Sequence, residues 1–335
     1  MRKILFIFMI IISFNIYCLQ KSGIKEYDNL DLTSGETFAY FNKDFETVDD
    51  LETALLYGKK YGGENNIYTL VYFYTQTDTP FAFYKYSNVE DTFKKIKGTF
   101  VLYEADGSLA LVSKAKPDFS GRTAYAYENG KIISVTNIEN DTLNSKEEKF
   151  LNEKITNSTE YKDGKKNGKV IYYNKDGSIA VEEFYENDKF IKSKNVNYKL
   201  QKTGIKEYDN IDFSKGEIIA YYDENGNIVS KDSDNIIQYR KSFGQKPDNG
   251  AFLVVDYYIN TNNVQAIIET EALYYFGCFD MMKYSFAFYE NGNIIESFTT
   301  KEDGETTEIK TYDYFGNLDS IGIYKNRKPV NIKYF

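Results

Sequence analysis

A chain of 335 residues that is 42% hydrophobic and carries 32 Tyr and 25 Phe has enough apolar and aromatic surface for one large core or two ordinary ones, which excludes a disordered chain. It contains no His, which removes the commonest metal ligand and every Ser–His or Cys–His catalytic arrangement. With 41 basic and 50 acidic residues the net charge is −9, and the short Lys-bearing stretches at 94–97 and 162–169 read as solvated surface, so no nucleic-acid partner is expected.

Met1-Arg2-Lys3 precedes ILFIFMIIISFNIY, an apolar run of 14 residues. That is the length of a signal-peptide core and short for a membrane span. Residues 1–18 are therefore expected to direct export, to a periplasm, an outer surface or the exterior. Cys18 is the candidate lipidation site. Tyr17 stands where a lipobox carries a small residue, so cleavage just after Cys18 stands beside its acylation. Membrane contact is expected only through such an anchor or an uncleaved signal. Cys278, in YYFGCFDMM, then has no partner and reads as a small buried apolar side chain.

LQKSGIKEYDNLDLTSGETFAYF at 19–41 returns as LQKTGIKEYDNIDFSKGEIIAYY at 200–222, with 15 of 23 positions identical. The duplication divides the chain into a first half (19–140), an insertion (141–199) and a second half (200–335). Val48, Leu51 and Leu55, with Asp49 or Asp50 as a cap, predict one short amphipathic helix in the first half and a counterpart in the second. IYTLVYFYT (67–75), FVLYEADGSLALVS (100–113) and TAYAYENGKIISV (123–135) read as strands and hairpins, answered by FLVVDYYIN (252–260), FAFYENGNIIESF (286–298) and KTYDYFGNLDSIGIY (310–324). Aromatic residues fill pleated faces, and Asp-Gly or Asn-Gly turns supply positive φ. The repeat turn positions are Gly107, Gly130, Gly164, Gly168, Gly177, Gly226 and Gly292. In the insertion, Ser145 and Glu148 at capping-box spacing before Phe150, Leu151 and Ile155 predict a further helix.

Tyr161, Asp163-Gly164-Lys165, Asn167-Gly168, Tyr172-Tyr173 and Asp176-Gly177 resemble the variant MORN repeat family, with its YwqK-type antitoxin members, most clearly over residues 161–190. The resemblance implies serial β-hairpins in a long twisted sheet and carries no catalytic residues. From the residues themselves the expected class is mainly β, with antiparallel hairpin repeats in two duplicated halves and a few short helices.

No catalytic, cofactor-binding or metal-binding residues are assigned. The turns Asn174-Lys175-Asp176-Gly177 and Asp223-Glu224-Asn225-Gly226 lack the downstream Glu of a calcium loop and read as turn chemistry. Glu182 and Glu183 are adjacent on a strand and point to opposite faces, so they cannot form one carboxylate pair. The tyrosine stripes read first as packing and secondly as a binding face. The expected function is an exported, non-enzymatic binding or structural module of the bacterial envelope or exterior, with a protein or glycan partner. A carboxylate-dependent hydrolase of an envelope polymer and an antitoxin-like protein-binding module are the alternatives.

Overall fold

The computed structural model describes residues 19–44, 46–49, 52–62, 67–87, 99–116, 118, 120–139, 143–274 and 282–335. The chain divides into two compact units, Met1–Asp141 and Thr142–Phe335. The first carries α1 (Lys25–Asp28), β1 (Glu36–Phe41), β2 (Thr47–Val48), β3 (Leu56–Tyr61), β4 (Ile67–Tyr74), β5 (Pro80–Ser87), β6 (Phe100–Tyr103), β7 (Leu109–Ala115), β8 (Gly121–Glu128) and β9 (Lys131–Glu139). Its strands lie in the order β2-β1-β3-β4-β5-β6-β7-β8-β9, each antiparallel to its neighbour.

The second unit opens with β10 (Ser145–Leu151), β11 (Lys154–Lys162), β12 (Lys165–Tyr173), β13 (Ile179–Glu186) and β14 (Lys189–Asn195), which pair in sequence order. Next come α2 (Lys206–Asp209), β15 (Glu217–Tyr222), β16 (Ile228–Val229), β17 (Gln238–Gln245), β18 (Phe252–Tyr258), β19 (Val264–Thr270), β20 (Met282–Phe288), β21 (Ile294–Thr300), β22 (Thr306–Tyr312), β23 (Leu318–Lys325) and β24 (Lys328–Tyr334). The strands β15–β24 form a ten-stranded sheet, ordered β16-β15-β17-β18 and then consecutively to β24. The expected class is what the structure shows: strand takes up 57% of the chain and helix 3%, in antiparallel hairpins over two halves.

Two expected elements are corrected. Thr47 and Val48 pair with Phe41 and Tyr40, and Leu56 enters β3, so the expected 48–55 helix gives way to strand at its start and just past its end, while Asp50 and Leu51 lie outside the described residues. The same pairing recurs at Ile228–Val229. Ser145–Leu151 is strand β10, not a capped helix: each of its residues pairs with β11, from Ser145 opposite Tyr161 to Leu151 opposite Lys154. The helical turns lie instead inside the duplicated segment, at KEYD in both halves.

That segment is a strap across one sheet face, and its identical residues are the fastenings. The Gln20 amide nitrogen of the backbone donates to Gly107 O (3.2 Å) and its side-chain Oε1 accepts from Leu109 N (3.0 Å). Gln201 repeats both bonds with Gly292 O (2.8 Å) and Ile294 N (2.9 Å). Asp28 accepts from Ser22 N and Oγ, both at 2.8 Å, as Asp209 does from Thr203 N (2.6 Å) and Oγ1 (2.8 Å). Tyr27 and Tyr208, 3% and 2% exposed, anchor the helical turns in the two main cores. Burying such a ring contributes about 1.5–3 kcal/mol. Beneath each strap a stacked pair recurs, Tyr57 on Phe73 and Tyr239 on Tyr257, both with ring centroids 5.0 Å apart.

Candidate functional site

The second unit buries charge where the first buries hydrocarbon. Arg240 on β17 lies opposite Asp256 on β18 and holds it bidentately, Nε to Oδ1 at 2.7 Å and Nη2 to Oδ2 at 2.8 Å, with both residues 1% exposed. The guanidinium also sits 5.2 Å from the Tyr222 ring and donates to Leu273 O at 3.3 Å. Such a planar fork matches a carboxylate and leaves neither ion without partners. Glu269, on β19, is likewise fully buried. Its carboxylate accepts from the Tyr208 hydroxyl, from Lys246 Nζ at 2.7 Å and from Asn249 Nδ2 at 2.7 Å. Burial pushes its pKa up, but the bonds from Lys246, Tyr208 and Asn249 outweigh burial and hold it below the ordinary value. Saturated by its own chain, this carboxylate is a structural anchor for α2.

A different arrangement lies between the β12–β14 hairpins and the turns of the ten-stranded sheet. Glu183 on β13 is buried and accepts from the hydroxyls of Tyr185 (2.9 Å) and Tyr172 (3.5 Å). Glu182, on the opposite face, pairs with Lys169 at 3.2 Å. Burial raises the pKa of Glu183, and the neighbouring charge of Glu290 raises it further; burial also raises that of Glu290. Around them burial pushes the phenols of Tyr172, Tyr185, Tyr258 and Tyr314 up. Amides join the layers: Asn195 and Asn263 exchange hydrogen bonds (2.7 and 3.0 Å), Ser193 Oγ donates to Asn260 O (2.8 Å), and Asn291 Nδ2 donates to Tyr173 O (3.3 Å).

Beside this layer opens a cleft of about 520 Å³ lined by Asn174, Lys175, Asp176, Ser178, Asn197, Lys199, Asn293 and Phe315. Its amide nitrogens are spent inside the chain. Asn174 Nδ2 donates to Ser178 Oγ (3.0 Å), Asn197 Nδ2 to Ile179 O (3.0 Å) and Asn293 Nδ2 to Tyr314 O (3.0 Å). Among the described residues nothing donates to their amide oxygens, so the lining is rich in acceptors. A second cleft, of about 370 Å³ and mostly apolar, lies in the first unit among Asn42, Lys43, Leu55, Leu56, Tyr74, Gln76, Thr77, Phe81 and Ala105.

The expected turn glycines Gly107, Gly130, Gly164, Gly177, Gly226 and Gly292 stand between paired strands with positive φ. Gly168 lies within β12 instead, opposite Tyr185. A Cβ there would meet Glu160 Oε2 at 2.1 Å, because the Glu160 carboxylate folds over it to accept from Lys169 N (2.8 Å). The candidate cation turns spend their oxygens on their own loops: Asp176 Oδ1 accepts from Ser178 N (2.9 Å), and Asp223 Oδ1 accepts from Asn225 N and Asn227 N (2.9 Å each). Residues 1–18 with Cys18, and Cys278, lie outside the described residues. Sequence reasoning missed Arg240, Asp256, Glu269 and Glu290, whose partners are distant in the chain.

No protein-family model matches the chain, and no curated protein matches it. Among solved structures, the chain aligns with a putative 6-phosphogluconolactonase from Bacteroides fragilis NCTC 9343 at 12% identity and TM-score 0.13, covering 84% of each chain. Another, from Bacteroides uniformis ATCC 8492, aligns at 10% identity and TM-score 0.14, over 84% of this chain and 98% of that one. The expected envelope module, with its hydrolase and antitoxin-like alternatives, is corrected here: the proteins found bear an enzyme's name, and none supports that expectation. Likeness at this level carries no activity to the chain either.

Proposed function

We propose that the second unit recognises a polyhydroxylated ligand of the saccharide class in its polar cleft. One observation carries this reading: Asn174, Asn197 and Asn293 turn their donors inward and, among the described residues, their amide oxygens receive no donor, beside Asp176 and over the buried ring of Phe315. Acceptors held by rigid turns suit a ligand that brings several hydroxyl donors, and a few fixed polar groups over an apolar floor give orientation. Lys175 is drawn aside to Asn317 Oδ1 at 2.6 Å, while Lys199, also in the lining, lies within electrostatic reach of Asp176 and adds one ammonium donor to the acceptors. The neighbouring hairpins fit the MORN-like reading of residues 161–190, which would make the insertion the element that built this cleft.

Saturation-transfer NMR with the purified full chain and a panel of neutral oligosaccharides tests the proposal. Transfer to at least one oligosaccharide is expected. Asn293→Ala should weaken that binding about fivefold, the equivalent of one hydrogen bond of about 1 kcal/mol. Silence across the panel, or binding indifferent to Asn293→Ala in a protein that melts normally, refutes it.

A further inference from the structure

The duplication allows the apolar cleft of the first unit to be read against its own counterpart. Matching backbone bonds fix the correspondence. Leu55 N donates to Phe41 O (2.8 Å) as Ile237 N does to Tyr222 O (3.0 Å). Tyr74 N donates to Thr79 O (2.9 Å) as Tyr258 N does to Asn263 O (3.0 Å), and Glu104 N to Ser108 O (2.9 Å) as Tyr289 N does to Asn293 O (2.8 Å). Through these registers Tyr74, Gln76, Phe81 and Ala105 correspond to Tyr258, Asn260, Gln265 and Glu290.

In the second unit that place is filled. Asn260 donates from Nδ2 to the Tyr185 hydroxyl at 3.3 Å and accepts at its carbonyl from Ser193, so a hairpin of the same chain seats a tyrosine there. The covered turn is correspondingly buried, with Asn291 1% exposed. In the first unit Glu104, Ala105 and Asp106 are exposed, as is Gln76, whereas Leu55 and its counterpart Ile237 are alike at 47% and 43%, so the difference lies at the two turns.

We propose that the first-unit cleft receives a tyrosine side chain carried on a β-hairpin of a partner protein. Leu55, Leu56, Tyr74 and Phe81 provide apolar walls for the ring, and the Gln76 amide, in the place of Asn260, donates to the phenol. Phe81 instead of Gln265 and Ala105 instead of Glu290 make the site more apolar and wider at the mouth than its filled counterpart. The occupant is another protein because the tyrosine hairpin of this chain is already engaged on its own second unit. Asp78, Glu104 and Asp106, exposed and next in the chain to the lining residues Thr77 and Ala105, outnumber the lining Lys43 and favour a hairpin with basic flanks.

The test is a methyl NMR titration of the leucine-labelled full chain with N-acetyl-tyrosinamide and with a cyclised peptide of residues 179–195, the β13–β14 hairpin already seated on the counterpart site. Saturable shifts at Leu55 and Leu56 are expected from both, stronger for the peptide because its turn is preorganised. Gln76→Ala should weaken tyrosinamide binding about fivefold and leave N-acetyl-phenylalaninamide unchanged. Ala105→Trp, at an exposed turn, should close the mouth and abolish both, while Ala105→Ser retains them. Absent shifts at Leu55 and Leu56, or binding that survives Ala105→Trp, overturns the proposal. Sedimentation showing a dimer that Ala105→Trp dissolves would overturn it in favour of a second copy as occupant.

Discussion

At one position of the sheet the two halves solve the same packing problem with opposite chemistry. In the first, Gly58 lies opposite Tyr72, and Phe38 folds over the glycine so closely that a Cβ would stand 2.6 Å from the ring. Phe38 then meets Phe41 and Tyr72 edge-on and these two lie tilted against each other, with centroids 5.4–6.2 Å apart. In the second, the registers that align Tyr57 with Tyr239 and Phe73 with Tyr257 put Arg240 at the glycine and Asp256 at the tyrosine, with Ile219 in place of Phe38. The backbone tolerates either filling, provided all its members change together. Duplicated structure is therefore conserved at its hydrogen-bonded fastenings and free at its fillings.

The largest effect should come from breaking one filling. Arg240→Ala leaves Asp256 buried without its counter-ion and should cost about 3–5 kcal/mol in urea unfolding. Transplanting the other filling, Ile219→Phe with Arg240→Gly and Asp256→Tyr, should recover most of that loss, since a well-packed apolar set replaces a buried ion pair at little net cost. If the triple variant is no more stable than Arg240→Ala, the two fillings are not interchangeable.

A smaller contrast concerns the strap anchors. Tyr208 bonds a buried carboxylate, whereas Tyr27 donates to the backbone oxygen of Thr99 at 2.7 Å. Tyr208→Phe should cost about 1.5–3 kcal/mol and Tyr27→Phe about 1 kcal/mol, the difference between charged and neutral acceptors. Equal losses in thermal melts would show that Lys246 and Asn249 alone satisfy Glu269.

The smallest effect is a pH signature of the buried carboxylates of the second unit. The folded pKa of Glu183 is raised, so its contribution is fully present below the unfolded carboxylate value and is lost as pH rises through the folded one. Glu269, with a lowered folded pKa, contributes above the unfolded value and loses that contribution as pH falls through the folded one. Glu183→Gln should therefore gain stability at neutral pH relative to the parent and gain nothing at pH values below the unfolded carboxylate range. A gain that is the same at both pH values would place the effect in packing.

The strands, the Asp-Gly and Asn-Gly turns and the duplicated topology are legible in the residues, because period-two alternation and turn chemistry are local. The 48–55 helix misleads for a physical reason. Val48 pairs with Tyr40 and Leu55 N donates to Phe41 O, so pairing with β1 prevails over helical spacing at both of these residues. SKEEKFL has capping-box residues, yet Ser145 to Leu151 also pair along β11, and tertiary pairing prevails over the local signal. The acidic layer was half legible: alternation assigns Glu183 its own face, but nothing local brings Glu290, from another hairpin, near it. Gly168 looked like a turn residue by its neighbours and serves instead as the bed for the Glu160 carboxylate.

The straps also set an order of events during synthesis. Each precedes its sheet in the chain, and its glutamine closes on a hairpin 89 or 93 residues further on. At about 5–20 residues per second the ribosome delivers that hairpin roughly 5–20 s after the strap has emerged. Through that interval the sheet that Leu19, Ile24, Tyr27, Leu30 and Leu32 cover is incomplete, and the same interval opens again for Leu200, Ile205, Tyr208, Ile211 and Phe213. Each half thus makes its clasp first and fastens it last, which leaves the newborn chain twice dependent on whatever shields an apolar segment at the tunnel exit.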